Sequence, residues 1–261
     1  MNYSSFNEQA GKLREKVGHV EWETRCELAA LYRLIAYYRM TDLIDTHLSL
    51  RVPGNRDQFL INRYGTPFEH TRASDLVLID HAGHVIDRLN PDARVNVAGF
   101  VIHSAVHMAR DDCHCIIHTH TAAGMAVAAQ AAGLLPLTQH ALKFHGRLAY
   151  HEYEGIALDI DERERLIRDL GPHKAMILRN HGLLAAGSSV AEAFMNIYFL
   201  ERACQAQVQA LSGGQPLHLP SESVRQRTAV QFDADDEQEI TTLAWLAALA
   251  LIEDQREAYC S

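Results

Sequence analysis

An excess of basic charge, a cysteine framework, long apolar runs and a glycine fingerprint are all missing from this sequence, and each absence closes a class of function. No apolar run approaches the roughly 20 residues that a membrane-crossing helix requires. The opening residues, MNYSSFNEQAGKLREK, hold no apolar core of the kind a secretory signal carries. A cytoplasmic protein with no membrane partner is the expectation. The 24 Lys and Arg stand against 33 Asp and Glu, a formal net charge of −9, which opposes a nucleic-acid partner because phosphates demand a basic face. Cys26, Cys113, Cys115, Cys204 and Cys260 are an odd, scattered set, as expected of thiols kept reduced. The βαβ repeats and Gly-rich turn of a dinucleotide fold are absent too.

What the chain does have is histidine, 16 of them in 261 residues, and an apolar fraction of 48% that suffices for a substantial core. Residues 1–20 read as a loosely attached leader. Apolar residues at helical spacing (Leu28, Leu31, Leu34, Ile35, Tyr38) predict a helix over 21–40. Short alternating runs at 47–52, 59–62, 76–80 and 84–87, separated by Pro53-Gly54 and Ala82-Gly83, predict antiparallel hairpins. A helix over 96–109 has Asn96 as its cap. Then come a strand at 115–120, an Ala-rich helix at 121–132, a strand at 149–153 and a helix at 161–170. Paired strands at 175–178 and 182–187 precede a long helix at 190–211. Residues 216–234 read as a Pro-containing linker and 235–256 as a last helix, packed on the body or on a neighbouring subunit. This alternation predicts an α/β protein, a three-layer α/β/α sandwich around a mixed, mostly antiparallel sheet. Residues 21–215 form its main domain and 216–261 an appendage.

The stretch HCIIHTHTAAG, residues 114–124, carries the chemistry. On a strand, residues i and i+2 share a face, so His118 and His120 point the same way at the end of an apolar run. Both can be sheet histidines with ordinary hydrogen-bond partners, or two ligands of one cation. A third imidazole, His181 in LRNHGLLAAG, lies in a turn whose Gly182 permits close backbone approach. Three neutral imidazoles with an open fourth position make a catalytic divalent-metal set rather than a structural one. Cys115 alternates to the opposite face and reads as packing. His103 and His107 sit four apart on a helix, but Ser104 stands where a zincin has glutamate, so that pair reads as helix packing or as support for the site.

GFVIHSAVHMARDD, CIIHTHTAAGMAV, AYHEYEG and LRNHGLLAAG, in this order and spacing, resemble the class II aldolase/adducin family over about residues 22–212, and THLSLRVPG through LVLID is similar to its adducin-like branch. The resemblance implies the same sandwich, a divalent metal (zinc, or manganese or another first-row ion) on His118, His120 and His181, and a homotetramer with active sites between subunits. It also implies enediolate chemistry on a small molecule. Two departures stand out. The position of the aldolases' acid/base glutamate is Gly99 here. Of their phosphate-gripping positions, which fall on Thr46-His47, Tyr64-Gly65 and Val97-Ala98, only Gly65 survives, so the expected substrate is not phosphorylated. His140 is the candidate proton carrier, since the corresponding aldolase segment reaches a neighbouring subunit's metal; it can equally be an ordinary loop or interface histidine. His47, Asn62, Tyr64, Gly65, Gly99 and Arg147 are the substrate-side candidates, Arg147 for its bidentate match to a carboxylate, with a plain salt bridge as its other reading. The functional expectation is a metal-dependent aldolase or decarboxylase. Decarboxylation is the better fit to Gly99, because carbon dioxide departs without a base removing a proton. The alternative is a non-catalytic, adducin-like domain that binds protein partners such as actin.

Overall fold

A computed structural model describes residues 11–156, 161–234 and 237–261. Its centre is one seven-stranded sheet. In chain order the strands are β1 (His47–Arg51), β2 (Gln58–Ile61), β3 (Val77–Asp80), β4 (Cys115–Thr119), β5 (Leu148–His151), β6 (Ala175–Leu178) and β7 (Gly182–Gly187). They lie in the order β3-β2-β1-β4-β7-β6-β5. Only β5 and β6 run parallel; every other neighbouring pair is antiparallel. The expected mixed, mostly antiparallel sheet is present.

Period-2 alternation divides the strand residues between two helical layers. On one side Leu48, Leu50, Ile117, Leu183 and Ile177 pack against α1 (His19–Tyr37) through Leu28, Leu31 and Ile35. The same layer includes Phe194, Ile197 and Leu200 of a long helix. On the other side Phe59, Ile61, Ile116, Met176 and Leu184 meet Val101, Ile102 and Val106 of α2 (Val97–Ala109). Asn96 caps α2 as expected, accepting from the backbone N–H of Ala98 and Gly99. Short helices α3 (Ala122–Ala128) and α4 (Gln139–Leu142) follow. Then α5 (Glu162–Leu170) adds Leu166 and Leu170 to the second layer, and α6 (Val190–Ser212) is the long helix of the first.

Four segments differ from the sequence expectation. The strand at 84–87 shrinks to one bridge, Ile79 with Val85. Past it the Asp87 carboxylate takes over, accepting from the backbone N–H of Leu78 at 2.8 Å and of Leu89 and Asn90 at 2.7 Å, and pairing with buried Arg25. The linker at 216–234 contains a helix, α7 (Glu222–Ala234); its prolines, Pro216 and Pro220, precede the helix and leave the rest unbroken. The last helix, α8 (Glu237–Ala250), ends early, and a 3-10 turn and α9 (Arg256–Tyr259) follow. Trp245 of α8 packs on Phe194 of α6, ring centroids 5.6 Å apart. Of the leader, residues 1–10 lie outside the described residues; 11–17 are helical, with Leu13 and Val17 packed around Trp22 and Cys26. No helix among the described residues is long and apolar enough to cross a membrane.

Candidate metal centre

At the end of β4, His118 and His120 turn to the same side, and their Nε2 atoms are 2.8 Å apart. The third ring arrives from the β6–β7 hairpin. There Leu178 pairs with Gly182 across Arg179-Asn180-His181, and Asn180 adopts a left-handed backbone (φ 55°), a conformation Asn tolerates better than most residues. This brings His181 Nε2 to 2.9 Å from His120 Nε2. Gly182 is required by contact: a Cβ there would lie 2.4 Å from the carbonyl oxygen of Thr119 and 3.1 Å from the His120 ring. The three imidazoles form a group whose ligand atoms all lie within 4.8 Å of one another.

The rear nitrogens are anchored. His118 Nδ1 lies 3.0 Å from the carbonyl oxygen of Leu183, and His120 Nδ1 lies 3.1 Å from a carboxylate oxygen of Asp42. Donation from Nδ1–H to these acceptors leaves each Nε2 lone pair facing inward, the arrangement that orients metal-bound histidines. Burial holds His118 well below the ordinary imidazole range, and burial with the neighbouring His120 pushes His181 down to about 4. Neutral rings with converging lone pairs fit a divalent cation.

Behind the centre, a file of buried polar side chains runs into the second layer. The His47 ring stacks on His118 with centroids 5.0 Å apart, and its Nδ1 is 2.9 Å from His103 Nε2. His103 Nδ1 meets Ser49 Oγ at 2.5 Å, and Ser49 Oγ meets His107 Nε2 at 2.8 Å. Burial, ahead of any neighbouring charge, holds His47, His103 and His107 well below the ordinary range. The helix pair His103 and His107 thus supports the site from behind.

This file explains Gly99. A Cβ at that position would sit 2.4 Å from Cδ2 of His47, whose ring is held by stacking and by His103. The helix gives up a side chain at 99 so that the imidazole at 47 can fill the space.

Other candidates fall elsewhere. Asn62 is in the core, its Oδ1 accepting from the Tyr32 hydroxyl at 2.9 Å. Tyr64 and Gly65 lie in the loop after β2, with Tyr64 exposed and Gly65 at φ 90°. Arg147 forms a bidentate pair with Asp233 of α7 beside a cleft of about 770 Å3, lined also by Lys174 and Glu192 and by none of the three histidines. Its salt-bridge reading is the one the structure supports. His140 packs on Phe199 of α6, centroids 4.8 Å apart, so a single chain does not bring it to the three rings. Asp42 and Ser49 were not anticipated: each reaches its imidazole from a separate segment, and no spacing in the sequence announces either contact.

The family model for the class II aldolase and adducin N-terminal domain matches residues 26–208. The chain belongs to this family. A crystal structure of an aldolase II superfamily protein from Pseudomonas syringae is 46% identical, with a TM-score of 0.89 over 95% of this chain and 99% of that one. An L-fuculose 1-phosphate aldolase from Glaciozyma antarctica PI12 is 29% identical, with a TM-score of 0.81 over 92% of both chains. Alpha-adducin from Rattus norvegicus is 45% identical over 197 residues, which are 75% of this chain but 27% of the adducin.

Proposed function

We propose that this family member is a divalent-metal-dependent carbon–carbon lyase, of aldolase or decarboxylase type, acting on a small non-phosphorylated hydroxy-carbonyl or carboxylate compound. The observation that carries the reading is the convergence of three imidazoles, two of them with anchored rear nitrogens. His118, His120 and His181 would hold the ion, zinc before other first-row metals. When bound, such a cation polarises a carbonyl or hydroxyl oxygen and accepts the charge that develops as a C–C bond breaks. The chain's own part is orientation. Leu183 and Asp42 fix two rings, and His47 fills the space beside Gly99. Decarboxylation suits a centre whose helix carries no acid at that position, and the loss of the phosphate-gripping residues at Thr46-His47, Tyr64 and Val97-Ala98 favours a substrate without phosphate. A cytoplasmic homotetramer completes the reading.

Metal analysis of protein purified without a histidine tag tests it. About one equivalent of ion per chain is expected, falling on His118→Ala and His181→Ala. Less than about a tenth of an equivalent overturns the reading.

A second reading, a domain that binds protein partners such as actin without catalysis, is favoured by the alpha-adducin match and by Gly99. It gains if the two alanine variants leave metal content and oligomeric state unchanged.

A further inference from the structure

A further buried imidazole, His151, stands beside His181. His151 ends β5, facing the α2 and α5 layer, and its register partner on β6 is Leu178, three residues before His181. Its Nδ1 is 2.7 Å from Asp169 Oδ2 on α5. Its Nε2 is buried, lies at ion-pair distance from Glu162 Oε1, 3.5 Å, and makes no hydrogen bond among the described residues. His151 as a whole is 3% exposed. A buried donor or acceptor left unmade is costly, so this nitrogen points to something it serves. It borders a cavity of about 10 Å3 that His181, Tyr153 and Ile102 also line, room for about one water. An imidazole oriented by a carboxylate through one nitrogen, with no hydrogen bond made at the other, has the form of a general acid or base.

We propose that His151, held by Asp169, is the proton carrier of the metal centre, acting through one water in this cavity on a substrate bound beside His181. The proposal rests on the lyase reading above and supplies the proton step that Gly99 cannot. After C–C cleavage the carbanion carbon takes a proton from the water as the new C–H bond forms. The water takes the Nε2 proton, leaving neutral His151, while Asp169 stays ionised throughout. In reverse, an α C–H bond breaks, its electron pair passes into the enediolate, and the proton returns through the water to Nε2. His140 does not compete for this role within one chain, because it lies against Phe199 in the opposite helical layer.

The test uses dihydroxyacetone in D2O with zinc-loaded protein, following loss of the α-proton signal by NMR. Wild-type protein is expected to exchange faster than zinc alone. His151→Gln is expected to slow exchange by about 100-fold or more while zinc affinity, measured by chelator competition, stays within about threefold, as expected of a residue outside the ligand set. The groups facing His151 are Asp169 and Glu162 from α5, Arg179 and His181 from the hairpin, and Glu152 and Glu154 beyond β5. The second variant, Asp169→Asn, should slow exchange and, in metal-free protein, move the ring-nitrogen shifts of His151. Wild-type exchange in either variant overturns the proposal and leaves the lyase reading standing. Loss of zinc with His151→Gln also overturns it, since His151 would then be support for the ion. Wild-type protein no faster than zinc alone overturns both.

Discussion

The two faces of one sheet are built for different ends. The face under α1 and α6 is mainly apolar, with Leu28, Leu31, Leu34, Phe194, Ile197 and Leu200 closed over Leu48, Ile117 and Leu183, and its buried polar groups, among them Tyr32 of α1 and Glu201 and Gln207 of α6, include no imidazole. The face under α2 and α5 buries Phe59, Val106 and Met176 in the same way, but His118, His47, His103, Ser49 and His107 run through it as a polar file. Buried imidazoles are tolerated only when neutral and hydrogen-bonded. A sheet can carry such a load on one side because the other side supplies stability without it. Stability and site are thus separable by face, and that separation can be tested.

The strongest test is acid. Four fully buried histidines, His47, His103, His107 and His118, are held below the unfolded value of about 6.5. Below that pH the unfolded chain binds protons that the folded chain does not. Stability is therefore complete above about pH 6.5 and declines as pH falls. Urea unfolding of metal-free protein should lose roughly 1 kcal/mol per imidazole between pH 7.5 and 5.5, about 4 kcal/mol together. A flat profile would remove the contrast between the faces.

Leu200→Ala, on the apolar face, should cost about 3 kcal/mol by cavity formation and leave metal stoichiometry unchanged; metal loss in that variant would show that the faces are coupled. Gly99→Ala should cost about 2 kcal/mol from overpacking against His47, although alanine is the better helix former by about 1 kcal/mol. Adding His47→Ala should recover most of that loss in a double-mutant cycle. The smallest effect is expected at Asp42→Ala, where fold stability holds and metal affinity falls roughly 10–100-fold, as read by chelator competition.

The pair at 118 and 120 was legible because strand period puts i and i+2 on one face, and His181 because Asn180 and Gly182 mark a tight, close-approaching turn. All seven strands, and the helices α1, α2, α3, α5 and α6, follow from the same periodicities. The helix at Glu222–Ala234 was hidden by the prolines before it. Gly99 reads, in sequence, as the loss of an acid; in the structure it makes room for a ring 52 positions away in the chain. Asp42, Ser49 and the His151–Asp169 pair were illegible because each contact joins segments with no shared local pattern.

By itself the sequence determined what local rules govern: the order of elements, which strand residues face which layer, and the turn that returns His181 toward β4. Only the tertiary structure decided which distant side chains meet those rings. Strand pairing set His47 against His118, helix packing put His103 behind it, and the loop before β1 carried Asp42 to His120. The physical reason is that backbone periodicity is a short-range property, whereas the partner of a buried polar atom is set by whichever segment closes over it.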